Sequence, residues 1–342
     1  MAPTPSGPPA ANYPAAFELQ AEAVPRRRQE GWRRIVRGLL ANPASLLGVV
    51  LLVGFAAVAV AAPVLAPCPQ GQLAYCARDP YKVPKFGFKT DPLPPGTIAA
   101  DRYAGHRHAF GTTPAQYDIY YGIVWGTRTA FQVGIAVTLA TLLLGLTVGS
   151  VAGYYGGWTD EVLMRVVEVV MAFPFLLAAI TLASILRSNP NLGQGTLPAL
   201  IALIVFGWTG YSRLIRADIL SIKQREYVWA ARSLGASDAR IIIRHVLPNA
   251  IFPVLVVASL NIGSYVLAFA ALSFLNVGVP QGYADWGQMI SGARNRIPSL
   301  DQDWYIVLFP GMAITLFVLS WNLIGDAFRD LLDPRLAGGG RD

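Results

Sequence analysis

Charged residues are scarce in this sequence. Asp, Glu, Lys and Arg make up 14% of its 342 residues, against about 25% in soluble domains. The deficit excludes an ordinary soluble globular fold. Histidine and cysteine are scarcer still, three and two residues, too few for a soft-metal cluster. No GxxxxGK[ST] phosphate loop exists, because none of the four lysines follows a glycine, so no such nucleotide site is encoded. HExxH is missing too. What abounds is apolar: 54% of residues are hydrophobic and the mean hydropathy is +0.44. The formal charge of +7 is then read as positive-inside topology rather than nucleic-acid binding. Cys68 and Cys76 both follow the first apolar run; if that loop is extracytoplasmic a disulfide becomes plausible, and paired and free thiols both stay open. His106 and His108 form an HRH triplet, which reads as a solvated polar loop ahead of a metal site; no metal is expected.

Residues 1–25 are rich in Pro and Ala, lack periodicity and read as a disordered tail. An arginine cluster with Trp32 follows (Arg26, Arg27, Arg28, Arg33, Arg34 and Arg37) and reads as a cytoplasmic interfacial anchor. Six apolar runs are long enough to cross a ~30 Å hydrocarbon core: Leu46–Leu65, Ala130–Tyr154, Val162–Leu186, Thr196–Tyr211, Ala250–Val277 and Tyr305–Ile324. Six spans starting inside also end inside, leaving residues 67–127 external and 327–342 as a cytoplasmic tail. That arrangement puts 17 of the 27 basic residues in the cytoplasm, the sign the positive-inside rule asks for. Gly145 and Gly149 are a small-xxx-small pair suited to close helix packing in lipid, and Pro174 should kink the third span. Glu168 lies two turns into that span, so proton coupling is one reading; pairing or snorkelling near the interface is the plainer one.

The stretch 213–249 stands apart. Ten of its first 32 residues are charged, and each would cost roughly 2.5–3.5 kcal/mol at a bilayer centre. It must lie in water or on a soluble partner. Val228, Ala231 and Leu234 recur at helical spacing, Gly235 suits a left-handed cap, Ser237 can cap a second helix, and Pro248 turns the chain back to the membrane. Two short helices meeting at a glycine make a docking element. A bundle with no motor of its own but a structured dock implies that energy arrives from a separate subunit.

Glu226–Asn249, EYVWAARSLGASDARIIIRHVLPN, resembles the EAA loop of ABC importer permeases, with Ala230, Ala231, Gly235, Leu247 and Pro248 in matching positions. HAFGTTPAQYDIYYGIVWGTR (His108–Arg128), GYYGGWTDEVLMRVVEVVMAFP (Gly153–Pro174), LSFLNVGVPQGYADWGQM and NLIGDAFRDLLDPRL are similar to segments of the dipeptide/oligopeptide C-type permeases. The likeness covers most of residues 35–336. Trp229 stands where the acid of EAA is expected, His245 where Ile is, and Gln116-Tyr117-Asp118 where the family has Gly-Arg-Asp.

The resemblance implies an all-α membrane protein of six transmembrane helices with the type I ABC importer permease fold. A basic segment and first helix would span residues 26–66, and an ABC transmembrane type-1 domain 128–326. It implies a non-catalytic permease subunit in the bacterial cytoplasmic membrane with both termini cytoplasmic. Partners would be a second, B-type permease, two ATPase subunits that bind ATP and Mg, an external substrate-binding protein, and the bilayer; no nucleic acid is expected. Coupling would run through Glu226, Trp229, Ala230, Ala231, Arg232, Gly235, Ala236, Leu247 and Pro248. Asn261, Ser264 and Tyr265 on the fifth span are candidate pathway groups, with interhelical hydrogen bonding as the plainer reading of each. Asp118, Asp285 and Trp286 would meet the binding protein or a gate. Di- or oligopeptide import is the implied function. Nickel or oligosaccharide import by the same architecture is the nearer alternative, and an ion-coupled transporter or channel the more distant one.

Overall fold

A computed structural model describes residues 42–69, 76–87, 91–98, 105–189, 192, 195–299 and 301–332. The expected disordered tail and the arginine cluster with Trp32 lie outside the described residues, as does most of the expected C-terminal tail. Among the described residues the protein is helical, with only isolated bridges such as Lys82–Tyr283 and Thr112–Asp118 in place of a sheet.

Helix α1, Pro43–Leu65, opens on Asn42, whose side chain accepts from the Ala44 amide at 3.0 Å. Helix α2, Ile119–Tyr155, extends 11 residues before the expected start of the second span. Asp118 caps it by accepting from the Tyr121 amide at 2.8 Å. The third span is not one kinked helix. It consists of α3, Gly157–Met171, and α4, Phe175–Arg187, set at 83° to each other. Pro174 supplies no N–H and crowds the preceding turn, and its own ψ of 119° is extended rather than helical, so the helix breaks rather than bends. At 1.5 Å per residue the halves are about 22 and 20 Å long, and neither alone crosses the core.

The fourth span overruns its expected end at Tyr211. Helices α5, Leu197–Gly207, and α6, Thr209–Ile222, run nearly continuously into the charged stretch. Ile215, Ile219 and Ile222 recur on one face and bury it in a core cluster with Tyr154 and Leu142 of α2, so an amphipathic stripe carries the helix out of the membrane. Residues 213–222 therefore continue the helix of the fourth span beyond the membrane, and the docking element is shorter than expected. The seam between α2 and α6 is closed by Gly149, where a Cβ would collide with the Ser212 carbonyl and Ile215; only a glycine permits this approach.

Helices α7, Glu226–Ser233, and α8, Asp238–Ile241, form the dock. Pro248 does not end the second of them. A π-helical turn, Ile242–Val246, links α8 to α9, Leu247–Phe274, in one long helix. Widening the turn to place the Leu247 amide on the Ile242 carbonyl makes room for the proline ring. A short α10, Trp286–Ser291, and a 3-10 segment, Gly292–Ser299, precede α11, Tyr305–Leu332. Among the described residues, five helices are long and apolar enough to cross a membrane, six crossings if α3 and α4 count as one.

Candidate functional sites

The dock is built by a helix-terminating hydrogen-bond pair. Gly235 takes φ +80°. The Ala236 amide donates to Ala231 carbonyl at 3.2 Å and the Gly235 amide to Arg232 carbonyl at 3.0 Å, the Schellman pattern that ends a helix at a glycine. Ser237 sits at the start of α8 but its side chain caps nothing, contrary to expectation. Val228, Ile241 and Val246 are buried against Tyr154, Ile215 and Ile219, with Ala231, Ala236 and Leu247 packed on the same cluster. This fixes the element to the ends of α2 and α6.

The opposite side of the element is bare. Trp229 is 58% exposed and Leu234 88%, while Glu226, Ala230, Arg232, Gly235 and Pro248 are exposed as well. Apolar side chains facing water beside a rigid turn mark an interaction surface. Arg232 lies 5.7 Å over the Trp229 ring, so the residue replacing the expected acid covers a cation without pairing it in charge.

Polar side chains clamp the dock to the span ends. The Tyr154 hydroxyl donates to Asp238 Oδ1 at 2.7 Å and accepts from Arg232 Nη2 at 3.0 Å. Lys223 Nζ donates to the Gly153 and Tyr154 carbonyls, 2.8 and 3.3 Å, covering the C-terminal end of α2 with a cation. Arg216 of α6 grips Asp160 of α3 through a two-point ion pair. Sequence reasoning missed Tyr154, Asp160, Arg216 and Lys223 as a group. The partners stand 56 to 84 residues apart, and no local pattern connects them.

All three pathway candidates line one cavity of about 440 Å³, walled by Phe173, Pro174 and Phe175 at the broken span and by Gly207 of α5. Within it, Asn261 Nδ2 donates to the Tyr211 hydroxyl at 2.8 Å and the Tyr265 hydroxyl to Gly207 carbonyl at 2.9 Å. These bonds tie α9 to α6 and α5. Ser264 reaches only its own helix, the Leu260 carbonyl at 3.5 Å.

The three residues expected to meet the binding protein or a gate are covered. Asp118, Asp285 and Trp286 are 1%, 5% and 2% exposed and present no surface in this conformation. Asp118 and Asp285 are helix caps, and Trp286 fills a core with Phe55 and Phe317. Burial without an opposing cation pushes the Asp285 carboxyl up to about 6, against the pull of the Gln288 and Gly287 amides. Burial also opposes ionisation of Asp118, but hydrogen bonds from His106, His108 and the Tyr121 amide outweigh it and hold that carboxyl below its ordinary value.

His106 and His108 are not a solvated triplet. Their ring nitrogens converge on Asp118 Oδ2, at 3.2 and 2.7 Å, with Phe86 stacked on His106. The three ligand atoms lie within 4.8 Å of one another, close enough to share a cation. Yet 2.7 Å is a hydrogen-bond distance, and the buried Nε2 of His108 has no partner, where a metal-bound imidazole donates that N–H to a second group. The arrangement is that of a hydrogen-bonded triad. Cys68 and Cys76 are joined as a disulfide. Glu168 pairs with Arg165 at 3.0 Å, both side chains largely exposed.

Comparison with known proteins matches residues 145–338 to a family described as the binding-protein-dependent transport system inner membrane component, and residues 31–82 to the N-terminal TM domain of oligopeptide transport permease C. The chain is 34% identical to a dipeptide transport system permease protein, DppC, of Alkalihalophilus pseudofirmus, over 89% of this chain and 90% of that one. It is 35% identical to a glutathione transport system permease, GsiD, of Pectobacterium atrosepticum (90% and 91% covered). It is 30% identical to an oligopeptide transport system permease, OppC, of Bacillus subtilis (94% and 95% covered). Among solved structures, an inward-facing MetNI methionine ABC transporter aligns with TM-score 0.50 at 16% identity, over 62% of this chain and 97% of that one; this is a likeness of fold.

Proposed function

This chain belongs to the binding-protein-dependent transport system inner membrane components, and from that premise we propose that it carries di- or oligopeptides inward through the cavity beside Pro174, driven through the α7–α8 dock. It is a multi-pass permease subunit of an ABC importer of the cytoplasmic membrane, working with ATPase and substrate-binding partners. In our reading it pairs with one homologous permease and two ATPase subunits, carries out no catalysis itself, and leaves ATP and Mg to its partners. Both termini lie in the cytoplasm. Peptide cargo is favoured because dipeptide, oligopeptide and glutathione systems are named among the relatives.

One observation carries the coupling role: the helix pair closed by Gly235 is packed on one side and exposes Trp229 and Leu234 on the other. A rigid element with a bare apolar face transmits a push. Pathway roles for Asn261, Ser264 and Tyr265 rest on their shared cavity. Gly235→Asp places a β-carbon at φ +80° and unwinds the turn. In the assembled transporter it should abolish peptide uptake into proteoliposomes while leaving the chain in the membrane. Unchanged uptake overturns the coupling role. A purified chain that moves peptide with no ATP-hydrolysing companion overturns the function.

A further inference from the structure

Helices α1 and α2, together with Tyr81, line an open groove of about 370 Å³. Its rim is polar, formed by Tyr81, Arg128 and Gln132, and its floor is apolar, formed by Ala56, Val60 and Phe131. The rim lies near the end of the membrane-spanning helices. The Tyr120 hydroxyl and the Trp125 indole donate to the Leu65 and Ala66 carbonyls where α1 ends, as aromatic residues do at a membrane–water boundary. Arg128 is one helical turn deeper.

Arg128 has a structural task that uses one donor. Pro63 has no N–H, so the Ala59 carbonyl four residues before it lacks a helical partner. Arg128 Nε donates to that oxygen, and its guanidinium lies 5.0 Å over the Trp125 ring. A carbonyl and a ring neutralise no charge. The two terminal amino groups of the guanidinium remain free to donate, and among the described residues no carboxylate meets Arg128. Gln132 donates to the Tyr81 hydroxyl at 2.6 Å, which leaves the hydroxyl proton free to donate in turn. A cation at membrane depth without a counter-charge calls for one. Below it, Val60 is 77% exposed on an α1 surface of apolar side chains.

We propose that this groove is a binding site for an anionic phospholipid, its phosphate on Arg128 and Tyr81 and one acyl chain along Ala56, Val60 and Phe131. The site rests on the membrane assignment alone; neither the cargo nor the coupling role enters it.

The test uses the assembled transporter in nanodiscs of phosphatidylglycerol or phosphatidylcholine, with retained lipid counted by native mass spectrometry. Wild type should keep phosphatidylglycerol and lose phosphatidylcholine. Arg128→Gln should lower retained phosphatidylglycerol at least fivefold, and Arg128→Lys should keep part of it. Ala56→Trp fills the floor without touching the cation and should also release the lipid, which covers the case in which Arg128→Gln does not fold. Equal retention of both lipids, or unchanged retention in Ala56→Trp, overturns the proposal. So does a photocrosslinker replacing Gln132 that captures the second permease subunit instead of lipid.

Discussion

Tyr154→Phe isolates the clamp between the dock and the spans. The ring stays, and with it the burial of a residue that is 5% exposed; the hydroxyl that bridges Asp238 and Arg232 goes. The bond to Asp238 is a neutral donor on a charged acceptor at a half-buried site, worth on the order of 1 kcal/mol. Arg232 is exposed, so water screens its bond to the same hydroxyl. One kcal/mol is roughly a fivefold change in the equilibrium between a dock seated on α2 and one that has slipped. The assay is peptide delivered per ATP hydrolysed, in proteoliposomes of the complete transporter. The ratio should fall twofold to fivefold while ATPase activity and the amount of chain in the membrane hold. Asp238→Asn removes the charge from the same bond, so the double variant should be little worse than either single one. A ratio unchanged in Tyr154→Phe, or fully additive losses, would refute the view that this hydroxyl holds the dock in place.

Gly149→Ala drives a β-carbon into the Ser212 backbone and Ile215, and overpacking of this kind costs about 1–3 kcal/mol. Thermal unfolding in detergent should shift down, whereas Gly54→Ala, where a β-carbon meets nothing within 4 Å, should leave it unchanged. Asp285 gives a pH dependence. Its folded value of about 6 exceeds the unfolded value of about 4. As pH rises from 4 to 6 the unfolded chain ionises first, and stability should fall by up to about 3 kcal/mol. Above 6 the loss is complete. Asp285→Asn should match wild type near pH 3, unfold at a higher temperature at pH 7.5, and flatten the profile between; a wild-type profile already flat from pH 4 to 7 would contradict the raised value.

Hydropathy, the lone charged stretch and Gly235 were legible because each is a local quantity. A run of 20 apolar residues has one inexpensive environment, ten charges in 32 residues have another, and a glycine after a helical period ends the helix wherever it lies. The EAA pattern was legible for the same reason, its spacing being set by two helices and a turn. Pro174 was legible as a kink, but not that the span breaks there at 83°, because a proline removes one hydrogen bond and the neighbouring helices choose the new direction.

Partnership between distant positions was decided by the tertiary structure alone. The burial of Asp118, Asp285 and Trp286 was not legible, since an acid beside an aromatic in a polar segment has no local reason to be buried. They are covered because the external segments fold back over the helix ends and offer amide and imidazole donors to the carboxylates. His106 and His108 meet Asp118, Tyr154 meets Asp238, and Arg128 meets the carbonyl that Pro63 leaves bare. Sequence fixes which side chains can make such bonds. Their mates are selected by packing, because burying a polar group is tolerable only where the fold brings a partner to it.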